Sequence, residues 1–269
     1  NWHARFAMGS SVLSTNFYGL RMVAGGNPGA VKWDEIRVAD RWTNLFNVGR
    51  QPVWDGGGGQ DLWFKAANWV GDQLPRMDVE VTVFYETMGG IGSDGRIKFN
   101  GNAGNHYPVL GLRFDYRQTN GVYIYGSGAS TVMELSRQGI EVQAGPNQTA
   151  KGSNTLAMAE VELLQDQPGS SMSTNAFYFN TLISGTASVT KVGTGRFHII
   201  GNNTFSGTMT ITQGVISVQD ARSLGSVSGR TVVASVGALE LRPIAATIFT
   251  NEPLTIAGWG VDDGGALRN

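Results

Sequence analysis

Between Lys191 and Val218 the chain alternates apolar and polar residues in three short runs, each closed by glycine or asparagine. Phe197 and Ile199 share one face of the first run, Met209 and Ile211 one face of the second, and Ile216 and Val218 one face of the third. A period of two over four or five residues predicts half-buried strands, because successive strand side chains point to opposite faces. The linkers are too short for helices, so strand must follow strand with one face always inward. That arrangement is the rung of a β-solenoid.

The same alternation recurs along most of the chain, at 79–84, 96–99, 110–114, 122–125, 133–135, 140–142, 156–159 and 161–163. It continues at 176–179, 181–183, 231–233, 238–241 and 254–256. The inward set it predicts is Val81, Val83, Ile97, Phe99, Leu112, Phe114, Val122, Ile124, Met133, Leu135, Ile140, Val142, Val161, Leu163, Leu239 and Leu241. His198, Thr210 and Glu240 fall on the outward phase. No amphipathic helix interrupts the series. The predicted fold is all-β, one parallel β-helix over 47–269 preceded by a β-hairpin or sandwich-like segment over 1–46.

Composition sharpens this picture. Glycine is 38 of 269 residues, roughly twice the usual share of about 7%. Charged residues are 15%, against about 25% in ordinary domains. Frequent turns and few charges suit a solenoid and not a helical enzyme. The net charge of −1 supplies no field for nucleic acid or an anionic membrane. Cysteine is absent, which removes disulfides, thiol catalysis and thiolate metal sites. No apolar run reaches the length of a membrane span.

The residues from Lys191 onward also carry a family resemblance. Lys-x-Gly-x-Gly (191–195), a strand, Gly-Asn-Asn-Thr-Phe-Ser-Gly (201–207), a strand ending in Gln213-Gly214 and a further strand resemble the autotransporter-associated β-strand repeat. The likeness extends through Ala221-Arg222-Ser223-Leu224-Gly225-Ser226. It implies a right-handed parallel β-helix, exported to the surface of a Gram-negative-type bacterium or secreted. It implies no single chemistry, since such passengers serve as adhesins, fibres and occasionally enzymes. Trp54-Asp55-Gly56-Gly57, Trp63 and Asn68-Trp69 resemble the segment that commonly opens such repeat regions, with three tryptophans covering the first rung. Earlier, Trp33-Asp34-Glu35-Ile36-Arg37-Val38 resembles the final strand of a laminin-G/concanavalin-like sandwich, of which 1–46 would be a remnant.

Chemistry is sparse. His3, His106 and His198 are far apart and show no metal-ligand spacing, and His198 reads as a solvated surface residue. Asp55 and Asp61 flank a glycine loop and could suggest calcium, but aspartates bonding their own turn are the better reading. Neither Gly-x-Ser-x-Gly nor His-Glu-x-x-His occurs. The 145–153 loop lacks the glycine and helix of a phosphate-binding loop. Glu134, Glu141, Glu162, Arg196 and Glu240 lie outward but spread along the chain, as solubility devices do. Asn147-Gln148-Thr149 and Asn202-Asn203-Thr204 are formal glycosylation sequons of the kind that arise by chance in such turns. No catalytic residue, cofactor or metal ligand is therefore assigned.

The expected function is structural or adhesive, and not enzymatic. Two alternatives stand beside it. One is a carbohydrate-binding surface module, with Tyr123, Tyr125 and Tyr178 offering rings to a glycan. The other is a polysaccharide lyase or hydrolase built on a β-helix. Asn269 falls in mid-pattern, as if cut from a longer chain, and leaves an open strand edge around Leu267. Trp2, Phe6, Trp33, Ile36 and Trp42 form an apolar set that needs cover. Strand addition between these two surfaces would join copies end to end into a filament.

Overall fold

A computed structural model describes residues 51–84, 96–115, 121–128, 130–143, 153–172, 176–249 and 252–269. The proposed sandwich remnant, with Trp2, Phe6, Trp33, Ile36 and Trp42, lies outside the described residues, as does the 145–152 loop.

The strands are short because glycine and polar turns interrupt every apolar run. The first five are β1 (Val81–Phe84), β2 (Arg96–Phe99), β3 (His106–Phe114), β4 (Tyr123–Gly126) and β5 (Val132–Val142). Next come β6 (Asn154–Ala157), β7 (Glu160–Leu163), β8 (Gln167–Ser171), β9 (Phe177–Phe179), β10 (Leu182–Gly185) and β11 (Val189–Val192). The last are β12 (Arg196–Ile199), β13 (Thr208–Val218), β14 (Arg230–Leu241), β15 (Leu254–Ile256) and β16 (Leu267–Arg268). Among the described residues the helical content is two 3₁₀ turns, Ala66–Asn68 and Val261–Asp263. Every pairing between these strands is parallel, and together they form one continuous sheet of 16 strands.

Register sorts the strands into three stacked faces. One face, here the A face, holds β2, β4, β6, β9, β12, the second halves of β13 and β14, and β16. The B face holds the first halves of β3 and β5, then β7 and β10. The C face holds β1, the second halves of β3 and β5, β8, β11, the first halves of β13 and β14, and β15. The chain cycles A, B, C and returns to A one rung higher. This is the parallel β-helix that the alternation predicts.

The core is a set of in-register columns. Ile97, Ile124, Leu156, Phe179, Ile199, Val218 and Leu241 follow one another up the A face. All are buried except Leu241, which is partly covered. Of the predicted inward set, Leu241 is partly covered, and Val81 and Val83 fall on the outward phase, because register aligns Thr82 and Phe84 with the inward Leu112 and Phe114; the rest are enclosed. Opposite Phe197, the C face carries Gly169, where a Cβ would lie 2.7 Å from the Phe197 ring. A glycine on one wall thus makes room for an aromatic from another.

Trp54, Trp63 and Trp69 close the described amino-terminal end, each fully buried. They meet edge to face, with centroids 5.1 Å apart for both Trp54–Trp69 and Trp63–Trp69. Trp69 Nε1 donates to the Trp63 carbonyl at 2.8 Å, so burial of that indole leaves its N–H satisfied. Aromatic contacts continue inward through Phe84, Phe114, Phe177 and Phe197. Asp55 behaves as a turn residue, its Oδ1 accepting the Gly57 N–H at 3.1 Å.

Candidate functional site

The repeat motif from Lys191 builds one corner of the helix. Lys191 stands in an inward column, between Gly169 and Ile211, and is fully buried. Its ammonium donates to the carbonyls of Val192 (2.8 Å), Gly193 (2.6 Å) and Gln213 (3.2 Å) and lies 5.2 Å from the Phe197 ring centroid. Carbonyls turned inward at the C-to-A corner, on two successive rungs, thereby gain a donor. Burial lowers the Lys191 pKa to about 8. Gly214 takes φ 75° at the same corner, and a Cβ there would sit 2.9 Å from Lys191 Nζ. Asn203 does the equivalent work on the B face. Its Oδ1 accepts the Ile183 N–H at 2.8 Å, and its Nδ2 donates to the Ser223 carbonyl at 2.7 Å, tying three rungs together.

The outward A face carries a lengthwise polar column. Register places Tyr123, Thr155, Tyr178, His198, Ser217, Glu240 and Arg268 one above another. The Arg96 guanidinium lies 4.9 Å from the Tyr123 ring centroid and 5.1 Å from that of Tyr125. Tyr178 stacks on His198 at 4.4 Å and 6°. Arg196 reaches across the intervening rung to Glu240.

His198 departs from the sequence expectation. It points outward but is only 6% exposed, covered by the Tyr178 ring and its charged neighbours, so it is not a solvated surface histidine. Burial pushes its pKa down to about 4, with Arg196 and Arg242 adding to the shift and Glu240 opposing it. Its Nδ1 and the Ser217 Oγ find no hydrogen-bond partner among the described residues. Ser217 lies between His198 and Glu240 and is fully buried. A relay would need the histidine in the middle, so this column is not a nucleophilic triad.

Outward charges that look scattered in sequence are in fact paired. Arg113 Nε donates to Glu141 Oε2 at 2.6 Å on adjacent C-face strands. On the B face, Glu134 and Glu162 are direct register partners across β5 and β7. His106, from β3, brings Nδ1 to 2.8 Å from Glu134 Oε1 and 3.4 Å from Glu162 Oε2. The spacing of the histidines gives no hint of this cluster, because its other members are glutamates one and two rungs away. Of the expected assembly residues, Leu267 is described, at 45% exposure on β16. Tyr123, Tyr125 and Tyr178 are half-buried.

Comparison with known proteins agrees with the repeat. The family model of the passenger-associated-transport-repeat matches residues 189–218, which run from β11 through β13. The match ends at Val218 and does not include the stretch 219–226. A curated protein, "Adhesin BmaC autotransporter" of Brucella suis biovar 1 (strain 1330), is 33% identical over 90 residues. That alignment covers 31% of this chain and 2% of the adhesin. No solved structure matches the chain.

Proposed function

We propose that this chain is a β-solenoid segment of a bacterial surface protein, adhesive or structural in role and without an enzymatic centre. The observation that carries the reading is the passenger repeat at 189–218 lying on successive rungs of a uniformly parallel solenoid. An adhesin among its relatives favours the same role. Mechanically, each rung hydrogen-bonds to its neighbours and lends stiffness to a long, narrow element that holds binding surfaces away from a membrane. Antibodies raised against 51–269 should label intact, unpermeabilised cells of the source organism, and external protease should remove the signal. Labelling only after permeabilisation would sink this reading.

Two finer statements belong to the same proposal. Recognition of a surface glycan is supported by Arg96, Tyr123 and Tyr125, which present two rings and a cation on one outward face. Binding on a glycan array that Tyr123→Ala and Tyr125→Ala both abolish is the expected result. End-to-end stacking is supported by Leu254, Ile256 and Leu267, exposed on the final described rung. Sedimentation should then show association that rises with concentration, and a monomer throughout would exclude it.

A further inference from the structure

We infer that His106, Glu134 and Glu162 form a binding site for a divalent transition-metal ion, with zinc the best match to the donor set. The three side chains come from successive rungs of the B face, β3, β5 and β7, so the backbone ladder holds their spacing. One ligand atom from each lies within 4.8 Å of the other two. Glu134 and Glu162 are directly opposed across paired strands, an arrangement that like charges disfavour unless a cation lies between them. They nevertheless converge on one imidazole nitrogen instead of splaying apart. Glu160, on the neighbouring outward position, turns away and takes the Ser184 hydroxyl.

A proton fits this convergence poorly. Nδ1 has a single hydrogen to offer, yet two carboxylate oxygens approach it, at 2.8 and 3.4 Å. A cation has no such limit. Zinc bonds to imidazole and carboxylate at about 2.1 Å, which places neighbouring ligands of a tetrahedral ion about 3.4 Å apart. The Glu162 contact already has that separation, and the Glu134 contact needs to open by roughly half an ångström. One nitrogen and two carboxylates leave a fourth position for water or for a donor from a binding partner. Calcium is a weaker match, because it takes about six to eight oxygen ligands. All three side chains reach solvent, His106 at 51%, so the ion has an open path to the site.

The test is zinc titration by calorimetry of the whole chain, with cobalt(II) absorption as a report on coordination geometry. The expected result is saturable binding of one zinc per chain, a tetrahedral cobalt spectrum and a rise in Tm with zinc. His106→Ala, and separately Glu134→Gln with Glu162→Gln, should weaken binding by about tenfold or more. Circular dichroism without metal checks that these variants fold, and if the alanine variant does not, His106→Gln replaces it. Absence of saturable binding overturns the inference. So does binding that the variants retain undiminished, which would place the metal elsewhere on the chain.

Discussion

His198 illustrates what stacking does to an outward residue. Rungs in register pile Tyr178 beneath it and swing Arg196 past it to Glu240, so a strand position that alternation assigns to solvent becomes covered. The consequence is acid sensitivity. Above pH 6.5 the ring is neutral in both folded and unfolded chains and its contribution to stability is intact. As pH falls below 6.5 the unfolded chain takes the proton first, because the folded pKa is depressed to about 4. Stability is then lost progressively between those values, by up to roughly 3 kcal/mol. His198→Phe keeps a ring for the Tyr178 stack and should flatten that part of the stability–pH curve, measured by urea unfolding at pH 4 and 7. An unchanged slope in the variant would show that other groups carry the acid response. Lys191 is the inverse case, an inward residue that is charged. Its value lies in three carbonyls that no apolar side chain can satisfy. Lys191→Met preserves most of the volume, yet should cost about 2–4 kcal/mol by leaving those acceptors without their ammonium donor. A neutral or stabilising outcome in denaturant unfolding would mean that water reaches the corner.

At the scale of the strand, alternation was readable because side-chain direction is a local property of extended backbone. Ile211 is inward and fully buried, Thr210 outward and half-buried, as the period of two requires. Ile211→Asp should destabilise by about 2 kcal/mol or more, since it buries a carboxylate in an inward column where its register neighbour Lys191 already has its ammonium held by three corner carbonyls. Thr210→Asp should cost about 1 kcal/mol or less. Equal losses in thermal unfolding would place the register one residue off. What the sequence could not reveal is which outward residues become neighbours. The His106–Glu134–Glu162 cluster and the Arg196–Glu240 pair depend on how many residues each turn consumes. Those turns vary: Ile124 pairs with Leu156, whereas Phe197 pairs with Ile216, a much closer partner in sequence. Lateral chemistry in a solenoid is therefore set by loop length, and no local periodicity encodes it. The inward lysine escaped notice for a related reason. Its carbonyl partners come from a corner whose geometry depends on Gly193 and Gly214, both at φ 75°.

Along the described β-helix as a whole, contact is nearly one-dimensional: successive rungs touch their immediate neighbours. Stability should then be a sum of rung and neighbour terms, and vary along the axis. β13 has a partner on each side over 209–211 and 215–218, β11 and β12 below and β14 above. Among the described residues β15 and β16 pair only with β14, and their apolar residues Leu254, Ile256 and Leu267 are 37%, 41% and 45% exposed. Hydrogen exchange of the native chain should reflect this gradient. The amides of Ile211, Ile216 and Val218 should exchange slowest, through openings close to global unfolding. Those of Ile256 and Leu267 should exchange fastest, through fraying of a rung held on one side. If that rung stacks on a second copy, protection of β15 and β16 should rise with protein concentration while that of β13 stays constant. Uniform protection at every concentration would instead mean that the rungs open as one cooperative unit, and the open edge would then have no part in assembly.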